Sequence, residues 1–281
     1  MYIVEYHMKP IIIWCILFIC ITIIIFMVYT PFERIHIIPP GFQCNTISPK
    51  NGPTIMHLVL FSHSDEYDEM YEITKQYYQQ FHNVTTIYYA FSESTQHAYQ
   101  MDGILYLPGK ETYTPGILDK TIKAFEFVKN KSFDYLIRSN ISTIINFNYL
   151  SSILTQYPIT FGGGTIYTHT WCEKDHKRYR TNFPSGTAMI LSKPILVELV
   201  DKKDKIDYTI IDDLEIGHVI EKEFPSLPFY SFQHYFVYVN EKTDMNQLDY
   251  ENIIFYRNKS GDRKHDIQNM KKIVRHLSQE M

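Results

Sequence analysis

Residues 133–146, FDYLIRSNISTIIN, show the pattern that decides the fold: an apolar run that gives way to small and polar residues. The same change occurs in three other blocks, ETYTPGILDKT at 111–121, FPSGTAMILS at 183–192 and IDDLEIG at 211–217. Parallel-sheet proteins place their functional side chains where strands end. No block is decisive alone, but their order and spacing predict an α/β protein whose site draws on all four.

Composition limits the number of domains and the class of partner. The chain has 281 residues, a hydrophobic content of 45% and a net charge of -4. A chain of this length buries one sizeable core and leaves room for additional segments. A nucleic-acid binder would present a basic face along a groove, so this charge balance predicts no DNA or RNA partner.

An apolar run at 11–29, IIIWCILFICITIIIFMVY, contains no charged residue. At a helical rise of about 1.5 Å per residue, it nearly matches a hydrocarbon core about 30 Å thick. A buried core helix would normally contain polar breaks, and a cleaved signal peptide has a shorter apolar region and a small-x-small cleavage site. We therefore expect one transmembrane signal anchor at 11–29, after a short cytoplasmic tail at 1–10.

The orientation of that anchor depends on indirect features. The positive-inside rule compares the basic residues on the two flanks of the apolar run, and Lys9 on one flank and Arg34 on the other nearly balance. N-glycosylation patterns, which have meaning only in a lumenal domain, begin at Asn83, Asn130, Asn140 and Asn258. Chance alone yields several such patterns in an Asn-rich chain. We expect a single-pass type II membrane protein whose large C-terminal part is lumenal.

A stem at 30–53 is predicted between the anchor and the folded domain at 54–281. The segment is rich in proline and glycine and has little periodicity, so it would hold the domain away from the membrane. It contains Cys44, which could pair with Cys172 in an oxidising lumen. Two isolated buried thiols explain these cysteines equally well.

Apolar periodicity divides the folded domain into alternating strands and helices. Strands are predicted at 55–61, 84–91, 103–107, 133–138, 159–162, 186–191, 230–239 and 253–256. Helices are predicted at 65–81, 115–129, 194–202, 212–222 and 265–279. The polar, Gly-rich segment at 162–183 predicts either a mobile loop beside a site or a solvated loop without function. This alternation is typical of an α/β sheet.

The four blocks together resemble those of the beta-1,3-galactosyltransferase and Fringe superfamily of Golgi glycosyltransferases, over roughly 58–256. The first block matches the pattern D-x-Y-x-N-L-x-x-K-T at Glu111, Tyr113, Leu118, Lys120 and Thr121. The strand of pattern Y-D-F-x-x-K-x-D-D-D and the Val/Asn turn that follows it are matched at Asp134, Arg138 and Asn146. The family's Tyr/Phe-x-x-Gly-x-x-Tyr-x-x-Ser and E-D-V-x-x-G patterns are similar to 183–192 and 212–217.

The resemblance implies a GT-A-like, Rossmann-type mixed sheet, mostly parallel and flanked by helices, after one N-terminal transmembrane helix. It also implies an inverting transfer of a hexose or N-acetylhexosamine from a UDP-sugar or other nucleotide-sugar donor to a hydroxyl of a glycan or glycoprotein. The membrane would be that of the Golgi or ER, or a host or viral membrane if the source is a large DNA virus. The alternative is an inactive relative that binds a nucleotide sugar or glycan, or one that has kept only the fold.

This chain departs from the family at its metal motif, because Asn140-Ile141-Ser142 stands where relatives carry three acidic residues. Mn²⁺ or Mg²⁺ on a diphosphate prefers anionic oxygen ligands, which Asn and Ser do not supply. The chain is then inactive, holds metal through other carboxylates, or neutralises the diphosphate with cationic side chains. His234 falls where some relatives place a metal ligand, although a lone histidine in an aromatic strand is more often structural.

Cationic candidates for the donor phosphates are Arg257, Lys259 and Arg263, which follow a predicted strand, and Arg138, which ends another. Guanidinium groups match phosphate oxygens in a bidentate way. A solvated basic loop and a surface ion pair are the alternative interpretations. Asn140 and Ser142 would lie beside the donor because they occupy the altered motif.

Catalysis by such an enzyme requires a base that takes the proton of the acceptor hydroxyl. Asp213 matches the family's Asp in the E-D-V pattern and is the predicted base, with Asp212 supporting it or binding acceptor. Helix capping explains the same acidic pair without catalysis.

The remaining candidates have structural alternatives. Lys120 would contact donor phosphate or a site carboxylate, or else lie on the exposed face of its helix. Gly163 and Gly186 would permit close approach of a sugar, or serve a turn and packing. By the resemblance, Tyr113 would contact the acceptor or the transferred sugar.

Overall fold

The computed structural model describes residues 14, 18–19, 35–41, 52–172 and 178–279. The chain divides into the units Met1–Arg34 and Ile35–Met281. The predicted tail lies outside the described residues, as do Cys44 and nearly all of the predicted signal anchor. Across the ranges that are described, no helix has both the length and the apolar character to cross a membrane. Cys172 is a free and exposed cysteine.

The second unit contains the strands and helices of an α/β domain. The strands are β1 Ile35–Ile37, β2 Ile55–Leu60, β3 Val84–Ser92, β4 Tyr99–Met101, β5 Ile104–Pro108, β6 Tyr135–Asn140, β7 Thr143–Ile145, β8 Phe161–Gly163, β9 Ile166–Cys172, β10 Arg178–Pro184, β11 Ala188–Ser192, β12 Phe229–Ser231, β13 Phe236–Val239 and β14 Phe255–Asn258. The helices are α1 Asp65–Tyr78, α2 Gly116–Val128, α3 Phe147–Gln156, α4 Lys193–Asp201, α5 Asp212–Glu223 and α6 Arg263–Gln279. Strand β1 lies within the predicted stem and pairs with β12, so this part of the stem belongs to the domain.

The main sheet has nine strands in the order β1-β12-β8-β11-β6-β2-β3-β5-β4. It is mostly parallel, with β11 and β4 running antiparallel to their neighbours. The chain moves outward from β2 through β3 to β5 and later returns to β6 on the other side of β2. The direction of winding therefore reverses between β2 and β6, and ligands of open α/β sheets bind at the carboxyl ends of strands where it reverses.

Two apolar cores cover the two faces of this sheet. On β2, Ile55 and Val59 belong to one core, while Met56 and Leu58 belong to the other. This alternation is the period of two expected of a strand that is buried on both faces. Helices α1, α3 and α6 pack into the first core, and α2, α4 and α5 pack into the second.

Two smaller sheets adjoin the main one, and both correct the sequence prediction. Strands β9 and β10 form an antiparallel ribbon where a loop at 162–183 was expected, although 173–177 lie outside the description. Strands β13, β14 and β7 form a three-stranded sheet. The single strand predicted at 230–239 is divided into β12 and β13 by a 3-10 turn at Gln233–Tyr235.

Candidate functional site

A cleft of about 690 Å³ opens at the carboxyl ends of β2 and β6. All but two of the residues predicted for the site line this cleft, and they come from all four sequence blocks and from the segment between β14 and the start of α6. They are Tyr113, Lys120, Arg138, Asn140, Ser142, Gly186, Asp212, Asp213, Arg257, Lys259 and Arg263. The structure brings these residues together, and their roles stay predictions.

The two exceptions are Gly163 and His234. A Cβ at Gly163 would lie 2.3 Å from the carbonyl oxygen of Ala188 and from Cβ of Pro184, so this glycine is required by strand packing. His234 is exposed on the 3-10 turn at Gln233–Tyr235. Neither lines the cleft, because the expected strand is interrupted at His234 and Gly163 is enclosed in the main sheet.

One wall of the cleft is built around Arg138, whose side chain is only 1% exposed. Its guanidinium forms an ion pair with Asp212, donates to the carbonyl oxygen of Gly186 at 2.5 Å, and donates to Oδ1 of Asn140 at 3.2 Å. Its Nε donates to the Tyr89 hydroxyl at 3.2 Å. Arg138 is therefore not the surface residue of the alternative interpretation, and most of its N–H groups are used by the protein.

This ion pair fixes the charge of Arg138. Burial alone would lower the pKa of the guanidinium, but the neighbouring carboxylate of Asp212 raises it above its ordinary value. Arg138 is thus a permanent cation that holds Asp212 at the first turn of α5. Because its donors are already occupied, it is better placed to hold this wall than to bind phosphate.

Asp213 lies next to that ion pair and has a different environment. Its Oδ2 accepts the Gly186 N–H at 2.7 Å, and its Oδ1 accepts the Leu214 N–H at 2.9 Å. Burial raises the pKa of the Asp213 carboxyl, and the charge of Asp212 adds to this, while Arg138 opposes it. A carboxylate with a raised pKa is a stronger base than an ordinary aspartate, which suits it to proton abstraction.

The opposite wall is cationic and is built by the pairing of β14 with β7. Residue 257 stands opposite Thr143 in this pair, so the Arg257 guanidinium reaches the hydroxyl of Ser142 and donates to it. No carboxylate among the described residues lies within ion-pair distance of Arg257. Burial lowers the pKa of Arg257 to about 10, and the nearby cations Arg263 and Arg138 contribute. An unpaired and mostly desolvated guanidinium facing a cleft is a site for an anion.

Two further cations extend this wall. Lys259 is exposed, whereas Arg263 forms an ion pair with the buried carboxylate of Asp266 at 2.8 Å. Arg263 also lies over the ring of Tyr67, 5.5 Å from its centroid. Arg257 lies on β14, Lys259 follows it and Arg263 begins α6, and all three line one cleft. The solvated-loop interpretation fits the exposed Lys259 but not the largely buried Arg257.

Lys120 is also buried, contrary to the exposed alternative. Its ammonium donates to the carbonyl oxygen of Phe61 and to both carboxylate oxygens of Glu111, each at 2.7 Å. Burial lowers the pKa of Lys120, while Glu111 opposes this. The three donors of the ammonium are thus occupied, and Lys120 holds the segment carrying Glu111 against the end of β2.

The altered motif shows what the cleft offers a metal ion. Asn140 Oδ1 accepts from Arg138, and Ser142 Oγ accepts from Arg257, so both neutral oxygens face guanidinium groups. The carboxylates of Asp212 and Glu111 are paired with Arg138 and Lys120. Within the described ranges, no group of three or more His, Cys, Asp or Glu residues is arranged to hold a metal ion. These donors do not fit a divalent cation well, because guanidinium groups surround them.

The sequence prediction missed the aromatic rim of the cleft. Tyr167 of β9 is 47% exposed and Tyr238 of β13 is 36% exposed, and both line the cleft beside the predicted Tyr113. Exposed aromatic rings on separate small sheets carry no common spacing in the sequence. Only the tertiary arrangement brings them together.

A second cavity of about 750 Å³ lies between β9 and α5. Nδ1 of His218 lies 3.2 Å from Oε2 of Glu215, and Nε2 of His218 lies 3.2 Å from Nδ1 of His169. The ring of Trp171 lies tilted against that of His218, with ring centroids 4.3 Å apart. These contacts attach the β9–β10 ribbon to the helix that begins at Asp212.

Neither a protein-family model nor a curated protein matches this chain. A solved structure described as "crystal structure of a glycosyltransferase involved in the glycosylation of the major capsid of PBCV-1" is similar to it over 77% of this chain and 99% of that chain. The sequence identity is 14% and the TM-score is 0.41. A likeness of this degree assigns no function, so the function rests on the residues of the cleft.

Proposed function

We propose that this chain is an inverting glycosyltransferase that takes a sugar from a UDP-sugar and neutralises the diphosphate with Arg257, Lys259 and Arg263 instead of a divalent metal. The observation that carries the proposal is the unpaired Arg257 guanidinium, which bonds to Ser142 at the altered metal motif and faces the cleft. An anion with several oxygens is the ligand that such a group requires.

The position of the cleft supports a nucleotide donor. It lies at the carboxyl ends of β2 and β6, where the winding of the sheet reverses, which is where mononucleotides bind in open α/β sheets. Phe61 and Ser62 line the part near β2, and the cations line the part near β14, where Arg263 lies over the ring of Tyr67. A nucleoside at the first and a diphosphate at the second fit this division of apolar and charged groups.

The proposed reaction is a single displacement. An acceptor hydroxyl loses its proton to Asp213 as its oxygen attacks the anomeric carbon, and the bond from that carbon to the diphosphate oxygen breaks. The negative charge that develops on the departing diphosphate is stabilised by Arg257, Lys259 and Arg263. Asp212 does not take the proton, because its carboxylate is paired with Arg138.

Binding without turnover is the second candidate. Both carboxylate oxygens of Asp213 accept backbone N–H groups, which is also what a purely structural helix-start residue would do. A donor-binding relative would keep its affinity for UDP after Asp213→Asn and would show no transfer before or after that change.

The test measures UDP and UDP-sugar binding by calorimetry, and donor hydrolysis, on the full chain with manganese and with a chelator. We expect binding and hydrolysis to persist in chelator, hydrolysis to disappear in Asp213→Asn, and binding to weaken in Arg257→Ala. Binding that requires manganese would overturn the metal-free part of the proposal. Absence of UDP binding under every condition would overturn the proposal as a whole.

Membrane anchoring by 11–29 and a lumenal domain remain part of this proposal. Among the N-glycosylation patterns, Asn258 is 0% exposed and cannot carry a glycan in the folded domain, whereas Asn130 is exposed. An endoglycosidase-sensitive mass that disappears in Asn130→Gln, on a chain resistant to alkaline extraction from membranes, would support both parts. An alkali-extractable chain would contradict the anchor.

A further inference from the structure

Tyr167 and Tyr238 meet at the mouth of the cleft from two different small sheets. Their hydroxyl oxygens are 3.4 Å apart, although the residues are 71 positions apart in the chain. The ring of Tyr167 tilts against Phe183 at 5.9 Å, and the ring of Tyr238 meets Phe236 edge-on at 4.8 Å. The two tyrosines are thus supported from behind while large parts of both rings stay exposed to solvent.

The pair lines the same cleft as the proposed base Asp213 and the cation Arg257. The hydrogen bond to Tyr238 raises the pKa of the Tyr167 hydroxyl, and the charge of Asp213 adds to that shift. On the other side, the electrostatic influence of Tyr238 reaches Arg257. The hydroxyl pair is therefore coupled electrostatically to the proposed base and to the proposed phosphate-binding Arg257.

Exposed aromatic rings with hydroxyl groups at their edges have a specific chemistry. The ring offers an apolar face, and the hydroxyl both donates and accepts hydrogen bonds. A pyranose ring has the complementary character, with C–H groups on its faces and hydroxyls around its edge. A peptide would have to meet these rings with separate side chains and backbone groups, whereas a pyranose presents an apolar face and edge hydroxyls on one ring.

We propose that Tyr167 and Tyr238 form the acceptor subsite and that the acceptor is a carbohydrate, held with one hydroxyl directed at Asp213. This inference rests on the proposed function, because it identifies the second substrate of the same cleft. The 3.4 Å contact between the two hydroxyls is long for an O–H···O bond, so a sugar hydroxyl competes with a weak bond for these groups.

The experiment compares Tyr167→Ala and Tyr238→Ala with Tyr99→Ala in the full chain. Tyr99 is an exposed tyrosine on β4 that does not line the cleft, so it is the matched control. The probes are aryl glycosides, a Ser/Thr peptide of similar mass, and UDP. Glycoside binding is followed by saturation-transfer NMR, glycoside KM by transfer assays, and UDP affinity by calorimetry.

We expect each cleft variant to raise the glycoside KM about tenfold or more while UDP affinity changes less than about twofold. Tyr167→Phe and Tyr238→Phe keep the rings and give smaller increases. Tyr99→Ala behaves as the unchanged chain.

Three results would overturn the inference: equal glycoside binding in all the variants, a loss of UDP affinity as large as the loss of glycoside affinity, or transfer to the peptide in preference to the glycosides. Failure of the proposed function has a different signature, which is absence of UDP binding by the unchanged chain. In that case glycoside binding by NMR still decides the inference, because binding that both alanine variants lose supports it and absence of binding contradicts it.

Discussion

The guanidinium of Arg138 and the carboxylate of Asp212 form a buried ion pair that joins the end of β6 to the first turn of α5. Arg138 also donates to the carbonyl of Gly186, whose N–H donates to Asp213. The contacts close a cycle through Arg138, Asp212, Asp213 and Gly186. The position of the proposed base therefore depends on an arginine that need not touch either substrate.

Removing one member of this pair should be strongly destabilising. Arg138→Leu leaves the Asp212 carboxylate buried without its partner, which typically costs about 3–5 kcal/mol. The double variant with Asp212→Leu should recover part of that loss, because no buried charge remains. Urea unfolding of the unchanged protein, the two single variants and the double variant measures the coupling energy between Arg138 and Asp212. The matched control is the exposed pair Lys271 and Glu69, where Lys271→Ala should cost less than about 1 kcal/mol. Equal losses at the two pairs would contradict the buried-pair account.

Gly186→Ala should disable the site without exposing the core. A Cβ at residue 186 would lie 2.8 Å from Nη1 of Arg138 and 3.6 Å from Oδ2 of Asp213, so the guanidinium must shift and the cycle is disturbed. We expect donor hydrolysis to fall by about 10²-fold, the effect of a small misplacement of a catalytic group. Gly261→Ala is the control, because nothing lies within 4 Å of its added Cβ. Activity that survives in Gly186→Ala would show that this cycle does not position the base.

Arg257→Ala should weaken UDP binding. Hydrogen bonds to charged groups contribute about 1.5–3 kcal/mol, which corresponds to about a 10- to 150-fold loss of affinity. Arg257→Lys should recover only part of it, because an ammonium cannot form a bidentate contact. Lys264→Ala, an exposed cation on α6 outside the cleft lining, should change affinity less than about twofold. Calorimetry at two salt concentrations separates this local contact from general charge attraction. Equal losses of UDP affinity in Arg257→Ala and Lys264→Ala would contradict a specific contact from Arg257.

The pH dependence of activity should report Asp213. Its pKa is raised by burial and by Asp212, so the base becomes protonated, and activity is lost, at a higher pH than the ordinary aspartate value of about 3.9. The contribution of the Asp213 carboxyl to the free energy of unfolding changes in the opposite direction: it decreases as pH rises, whereas activity increases. The folded state binds this proton more tightly, so the contribution is complete below the unfolded pKa and is lost as pH rises through the folded pKa. Unfolding midpoints across this range should fall with pH more steeply than in Asp213→Asn, and parallel profiles would contradict the raised pKa.

Much of the α/β domain could be predicted because its signals are local. Periodicity and strand-end residues placed β2, β3, β6, α2 and α5 within a few residues of their observed bounds. Helix α3 was missed because its apolar residues follow β7 closely, although Asn146 caps it by accepting from the N–H of Tyr149. The ribbon of β9 and β10 was missed because a polar, half-exposed ribbon lacks strong apolar alternation.

The candidate site shows the same difference between local signals, which could be predicted, and long-range contacts, which could not. Arg138 and Arg257 could be recognised as basic residues at the ends of predicted strands, and Asp213 by its match to the E-D-V pattern of the family that the chain resembles. Their partners could not be recognised, because the bond from Arg257 to Ser142 spans 115 positions. Tyr167 and Tyr238 were missed for the same reason, since no spacing in the chain links them. Long-range pairing decides which charges remain free to meet a ligand.

The pairing of β14 with β7 also determines when the cleft becomes complete. Arg257 and Arg263 leave the ribosome about fifty residues after the carboxylates at the start of α5. A nascent chain therefore carries the acidic wall first, and this wall repels phosphate until the C-terminal strand docks. UDP would stabilise only the finished chain, because a ligand stabilises only the states that bind it. The donor would then act as a folding ligand that distinguishes complete molecules from truncated ones.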